Sequence, residues 1–134
     1  MAKLEEIEGI GPAYAEELRA AGVFSVEALL LAGATPKQRQ ELEEKVQVGH
    51  NRILGWVNRA DLMRIRGVGE EYSDFLEKAG VDTVVELARR APENLHAQLA
   101  ELNAARRLVR RMPSRGTVAR WVEHAKLLPR VVSY

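Results

Sequence analysis

Shifted by 58 residues, the chain falls on itself: Leu4 on Leu62, Ile7 on Ile65, Gly9-Ile10-Gly11 on Gly67-Val68-Gly69, Tyr14 on Tyr72, Leu18 on Leu76 and Ala21-Gly22-Val23 on Ala79-Gly80-Val81. Further on, Ser25-Val26 meets Thr83-Val84 and Leu29 meets Leu87. The second copy has a longer middle, after which Trp56-Val57 meets Trp121-Val122, Ala60 meets Ala125 and Leu62 meets Leu127. Matches at glycines, large apolar residues and helix caps constrain the fold strongly, because each copy must bury an equivalent face. The expected units are residues 1–61 and residues 62–134, the second ending in basic helices.

Start and stop signals make every unit helical. A short helix is expected near Lys3–Glu8, running into Gly9-Ile10-Gly11. Pro12 suits the first position of the next helix, where a missing N–H costs nothing. Gly22 suits the residue just beyond its end. Ser25 and Thr83 are N-cap candidates, and both Thr83-Val84-Val85-Glu86 and Thr35-Pro36-Lys37-Gln38 spell capping boxes. From Asn51, the apolar residues Ile53, Leu54, Val57, Ala60 and Met63 recur at helical spacing. Helices are also expected over Glu93–Leu102, over Asn103–Met112 with Leu108, Val109 and Met112 inward, and in a last segment ending before Pro129. No window alternates with period two long enough for a strand. The fold class is therefore all-α, with two tandem helix-hairpin-helix repeats and pseudo-two-fold internal similarity.

The hairpin turns carry the first functional signal. In an apolar-x-Gly-apolar-Gly turn the first glycine permits positive φ or close packing. The middle residue, Ile10 or Val68, plugs the gap between two helices. The second glycine allows close approach of a partner and opens a helix whose first amides favour an anion such as phosphate. The same turn is also a compact way to pack two helices at a sharp angle. The residues just after the turn discriminate between these roles. Pro12-Ala13 removes one amide donor and keeps the first hairpin, Gly9, Ile10, Gly11 and Ala13, as a candidate phosphate site. Glu70-Glu71 places carboxylates where phosphate would sit, so Gly67, Val68 and Gly69 read as structural or as a protein contact.

Charge carries the second signal. Residues 1–103 hold 12 Lys plus Arg against 18 Asp plus Glu, whereas residues 104–134 hold eight cations against Glu123 alone. Arg106, Arg107, Arg110, Arg111 and Arg115 lie three and four apart, one face if the segment is helical. Arginine binds phosphate bidentately. The same face could instead pair with the acidic first half, and the sequence leaves both readings open.

Other chemistry lacks residues. The chain has no cysteine, which removes disulfides and thiolate chemistry. His50, His96 and His124 have no ligand spacing. No nucleophile–histidine–acid set, phosphate loop or carboxylate pair stands out. Asp82 follows the second hairpin helix as an aspartate does in hairpin-containing DNA glycosylases, but the lysine and the base pocket are missing. Trp56 and Trp121 read as core, and Tyr14 and Tyr72 as packing near the hairpins. No apolar run reaches a membrane span, and the first residues carry no signal-peptide core. The expectation is a cytoplasmic protein without cofactor or metal.

Leu62-Met63-Arg64-Ile65-Arg66-Gly67-Val68-Gly69-Glu70-Glu71-Tyr72-Ser73, Pro92-Glu93-Asn94-Leu95-His96 and Leu108-Val109-Arg110-Arg111 resemble the bacterial family called domain of unknown function 4332. The resemblance covers essentially Leu4 to Tyr134. It implies a tandem helix-hairpin-helix fold and a bacterial, cytoplasmic setting, and implies DNA binding only by analogy with the wider hairpin superfamily. Glu70-Glu71 belongs to that family pattern. The expected function is a non-enzymatic module binding duplex DNA through backbone phosphates, independent of sequence. The alternative is a protein-interaction or self-association module.

Overall fold

The computed structural model describes all of Met1–Tyr134: a 3-10 turn at Leu4–Glu6, then α1 (Pro12–Ala20), α2 (Val26–Ala32), α3 (Pro36–Val46), α4 (His50–Leu62), α5 (Glu70–Lys78), α6 (Val84–Ala88), α7 (Pro92–Arg106) and α8 (Arg115–Leu127). There is no strand. No helix is long and apolar enough to cross a membrane.

The local signals act where the residues place them. Pro12 opens α1. α1 and α5 stop in the same way, at Gly22 with φ 90° and Gly80 with φ 89°. Past each glycine the next amide reaches back along the helix, Val23 to Leu18 O and Val81 to Leu76 O, both at 2.9 Å, which satisfies a carbonyl the helix end would orphan. Ser25 and Thr83 accept the Ala28 and Glu86 amides. Thr35 and Gln38 form the full capping box. At Thr83 the box is one-sided, because the Glu86 carboxylate takes the Asp82 amide at 3.1 Å instead of returning to the cap.

Two expected helices change. The Lys3–Glu8 segment makes only the 3-10 turn Leu4–Glu6. Of the helix expected over Asn103–Met112, only Asn103–Arg106 is helical, as the end of α7. α7 continues to Arg106 and stops at Arg107, which has φ 49°. Residues 107–114 then run as an irregular strap. The Asn103 carboxamide takes the Val109 amide at 3.0 Å, a local bond that competes with helix, and Pro113 can donate nothing to one. The inward residues are nevertheless inward: Val109 is buried, and Leu108 and Met112 pack on the second core.

Burial divides between two apolar clusters. One is built from α1–α4 and includes Leu18, Leu29, Ile53 and Trp56. The other includes Leu62, Phe75, Leu76, Leu99 and Trp121. The tail after α8 crosses back, and Val132 is buried in the first cluster. Arg39, only 2% exposed, grips this tail through Ser133 O at 2.6 Å while also donating to Gly33 O at 2.8 Å. Burial holds the Arg39 guanidinium below the usual arginine range. Between the clusters, Arg59 on α4 meets Asp74 and Glu77 on α5, and Asp61 accepts the Val84 amide that opens α6.

Candidate nucleic-acid interface

The two glycine turns are alike in detail. Gly9 has φ 95° and Gly67 φ 89°. A methyl on either would stand 3.4 Å from a tryptophan Nε1, Trp56 in one and Trp121 in the other. Ile10 and Val68 are buried plugs, and their amides bond Ile7 O and Ile65 O at 3.0 Å. Tyr14 leans on Trp56 at 5.1 Å between ring centroids, and Tyr72 on Trp121 at 5.3 Å. The tryptophans are thus core residues rather than stacking surfaces.

The second glycines differ from the first. Gly11 and Gly69 have φ −87° and −111°, values open to any residue. A methyl at either would meet nothing within 4 Å. Neither backbone conformation nor internal packing therefore demands glycine there, and Gly11, Pro12 and Ala13 all face solvent.

Glu70 and Glu71 take separate roles. Glu71 accepts the Arg110 backbone amide at 3.2 Å, and beside it the Tyr72 hydroxyl donates to Arg111 O at 2.7 Å. The N-terminal turn of α5 therefore pins the 107–114 strap. Glu70 stands toward Glu8 and Glu6. Partial burial, followed by those two neighbouring carboxylates, pushes its own carboxyl above the usual range.

The five arginines expected on one helical face are not on one. Arg106 ends α7, Arg107, Arg110 and Arg111 lie on the strap, and Arg115 opens α8. Arg107 and Arg110 share a cavity with Glu71. Arg115 lies beside Pro92 and Glu93 at the opposite end of α7, roughly 20 Å from Arg106 at 1.5 Å per residue. The first hairpin is elsewhere again, in a cavity with Arg52, Arg59, Asp74 and Glu77. All five arginines are exposed. None lies within ion-pair distance of a carboxylate; the ion pairs of the chain involve Arg19, His50, Arg59, Arg64, Lys78 and Lys126. Of the two readings left open, ion pairing with the acidic first half is not seen.

The family model described as Domain of unknown function (DUF4332) matches residues 8–128. The chain belongs to this family. No curated protein and no solved structure matches it.

In this DUF4332 chain, one basic grouping escaped the reading of the sequence. Arg66, Arg120, His124 and Lys126 line a cavity of about 690 Å³ over Gly67 and Trp121. The His124 Nδ1 accepts the Arg66 amide at 3.1 Å, which leaves its other nitrogen to carry the proton. The available signal was the pairing of Trp56 with Trp121, which carried one step further sets His124 opposite Arg59. No cluster of three or more His, Asp or Glu residues is arranged to hold a metal ion.

Proposed function

We propose that this DUF4332 chain is a non-enzymatic module that binds duplex DNA through its phosphates. The finer architecture we assign is two tandem helix-hairpin-helix repeats, residues 1–61 and 62–134, with pseudo-two-fold internal similarity. Matching φ values, tryptophan contacts and helix stops at corresponding positions support that assignment. The observation carrying the function is the set of exposed arginines, Arg106, Arg107, Arg110, Arg111 and Arg115, none of whose guanidiniums is in an ion pair in a chain that has 19 acidic residues. Guanidiniums held apart from internal partners are available to a polyanion. The strap backbone beneath Arg110 and Arg111 is tied down by Glu71 and Tyr72, which lowers the ordering cost of binding. Gly11, Ala13 and the open space around Gly11 support a second, weaker phosphate contact at the first hairpin. Gly67, Val68 and Gly69 serve structure in this reading.

The test is salt dependence. Each phosphate neutralised contributes roughly 0.9 to the slope of log affinity against log salt. Arg110→Gln with Arg111→Gln should flatten that slope by up to about 2 units and weaken binding equally on every sequence. Melting temperature should hardly change, since no internal ion pair is lost. An unchanged slope would remove the strap from the interface.

A further inference from the structure

Two grooves in the molecule share one kind of wall. The first lies where α4 meets α5. Gly9, Trp56 and Arg59 form one side, and Asp74 and Glu77 on α5 form the other. Arg59 spans it, at 3.2 Å from Asp74 and 3.0 Å from Glu77. The second groove is the 690 Å³ cavity beside α8. Its wall of Gly67, Trp121 and His124 occupies the positions matching Gly9, Trp56 and Arg59. No helix stands opposite. The helix matching α5 is α1, yet no α1 residue lines this groove. No α1 side chain hydrogen-bonds or pairs with α8 either; the one ion pair of α1 joins Arg19 to Glu5. The α4–α5 contact is therefore made once and not returned, and the chain keeps both halves of a second such contact: an open α8 groove and an uncovered α1 face.

We propose that the α8 groove receives the α1 face of a second copy of this chain, so that copies associate head to tail. The inference rests on the correspondence of the two halves and is independent of DNA binding.

Two carboxylates, Glu16 and Glu27, give this occupant charge complementary to the groove. α1 carries exposed Glu16 at the position of Asp74 and, at the position of Glu77, Arg19, whose guanidinium is turned to Glu5 at 2.8 Å. The groove gains Arg66 in place of Glu8, Arg120 in place of Gly55 and Lys126 in place of Asp61, against Thr117 in place of Arg52, Glu123 in place of Asn58 and His124 in place of Arg59, and is on balance more basic than its covered counterpart. Glu16 of the second copy faces His124 and Arg66.

The change at Lys126 has its own logic. Asp61 is needed because it accepts the Val84 amide at 2.8 Å. The matching amide, Val26, is already held by Ala2 O at 3.0 Å. A docked second copy therefore requires no acceptor at that place, which Ala2 fills, and Lys126 meets the outer side of exposed Glu27, whose carboxylate also takes the Ala2 amide at 3.2 Å. Apolar burial agrees. Leu62 is 0% exposed at the joint between the halves, whereas its counterpart Leu127 is 81% exposed. A contact between unlike surfaces builds open chains or rings rather than a symmetric pair.

The experiment uses two charge variants of the full chain, each checked by melting temperature. Arg66→Glu with Lys126→Glu disables the groove. Glu16→Lys with Glu27→Gln disables the α1 face. If the groove variant melts early, Lys126→Gln alone replaces it. Sedimentation at low salt should show the wild-type mass rising with concentration above the 15.0 kDa of one chain and falling back as salt is added. Each variant alone should stay at one chain mass. Their mixture should form a species of two chains and grow no further, since one intact face and one intact groove remain. A wild type that stays at one chain mass at every concentration overturns the proposal, and so does a mixture that stays monomeric. A monomeric wild type whose DNA binding is lost in the groove variant would assign the groove to nucleic acid instead.

Discussion

Gly9 has φ 95° with Trp56 across from its missing side chain, whereas Gly11, two residues on, has φ −87° and open space around it. The pair separates a folding requirement from a binding one. Gly9→Ala forces a left-handed backbone on an L side chain, a cost of about 1–2 kcal/mol, or about 3–8 °C in melting temperature at this chain length. Gly11→Ala meets no such strain, but Gly11 is the N-cap of α1, where alanine is disfavoured. This offsets the gain of about 0.4–1 kcal/mol from removing freedom from the unfolded chain, so stability should hardly change. If the first hairpin contacts phosphate, Gly11→Ala should still weaken DNA binding. Thermal melts and binding curves on the two variants read the two effects separately, and Gly11→Ala binding as tightly as wild type would take the first hairpin out of the interface.

Among the elements, the 107–114 strap is the one that joins the candidate function to the fold. It is held from outside by α5, through the Glu71 carboxylate and the Tyr72 hydroxyl. Glu71 is thus a support for the strap that carries Arg110 and Arg111. Tyr72→Phe deletes one hydrogen bond in an exposed setting, worth about 0.5 kcal/mol at the low end of the usual range. The strap should exchange its amide hydrogens faster and DNA affinity should fall, because order in the strap must then be acquired on binding. Tyr14 sits at the matching place and its hydroxyl has no partner in the chain, while its ring lies under Arg52 at 5.1 Å. Tyr14→Phe is accordingly the control, expected to leave strap exchange and affinity unchanged. Equal effects from both variants would mean that the Tyr72 bond does not order the strap.

At the scale of the molecule, the tail ties the two clusters together. Tyr134 donates to Asn58 Oδ1 at 2.8 Å, and its ring lies 5.7 Å from the Arg39 guanidinium. Partial burial of the hydroxyl, then the Asp82 and Glu86 carboxylates, push its ionisation up to about 12 from an ordinary 10.0. The folded form therefore holds the phenolic proton more tightly than the unfolded form. The stability linked to it is fully present below pH 10 and drains away as pH rises from 10 toward about 12. Tyr134 is 61% exposed, so water screens the effect and the change in stability is small. Phenolate absorbance should show one late-titrating tyrosine, missing in Tyr134→Phe. If the component lost on that substitution titrates at the ordinary 10.0, the tail is not docked.

The turns, stops and caps were legible in the sequence because each is completed within a few residues. Gly22 serves an amide that reaches from Val23 to Leu18, and Thr35 caps an amide three residues away at Gln38. The offset repeat also placed Trp56 and Trp121 in the core, since only equivalent burial explains two such residues at matched positions. The strap was misread as helix because Leu108, Val109 and Met112 do turn inward, and inward apolar residues do not by themselves distinguish a helix from an irregular segment laid on a core. Only tertiary structure decided what Glu71 and Arg39 do, since their partners, Arg110 and Ser133, lie 39 and 94 residues away. It also decided that the arginines divide between two ends of α7 and that α8 borders an open groove. Bonds within one or two helical turns are specified by residue type and spacing, whereas contacts across the chain depend on how whole faces pack, which neither type nor spacing records.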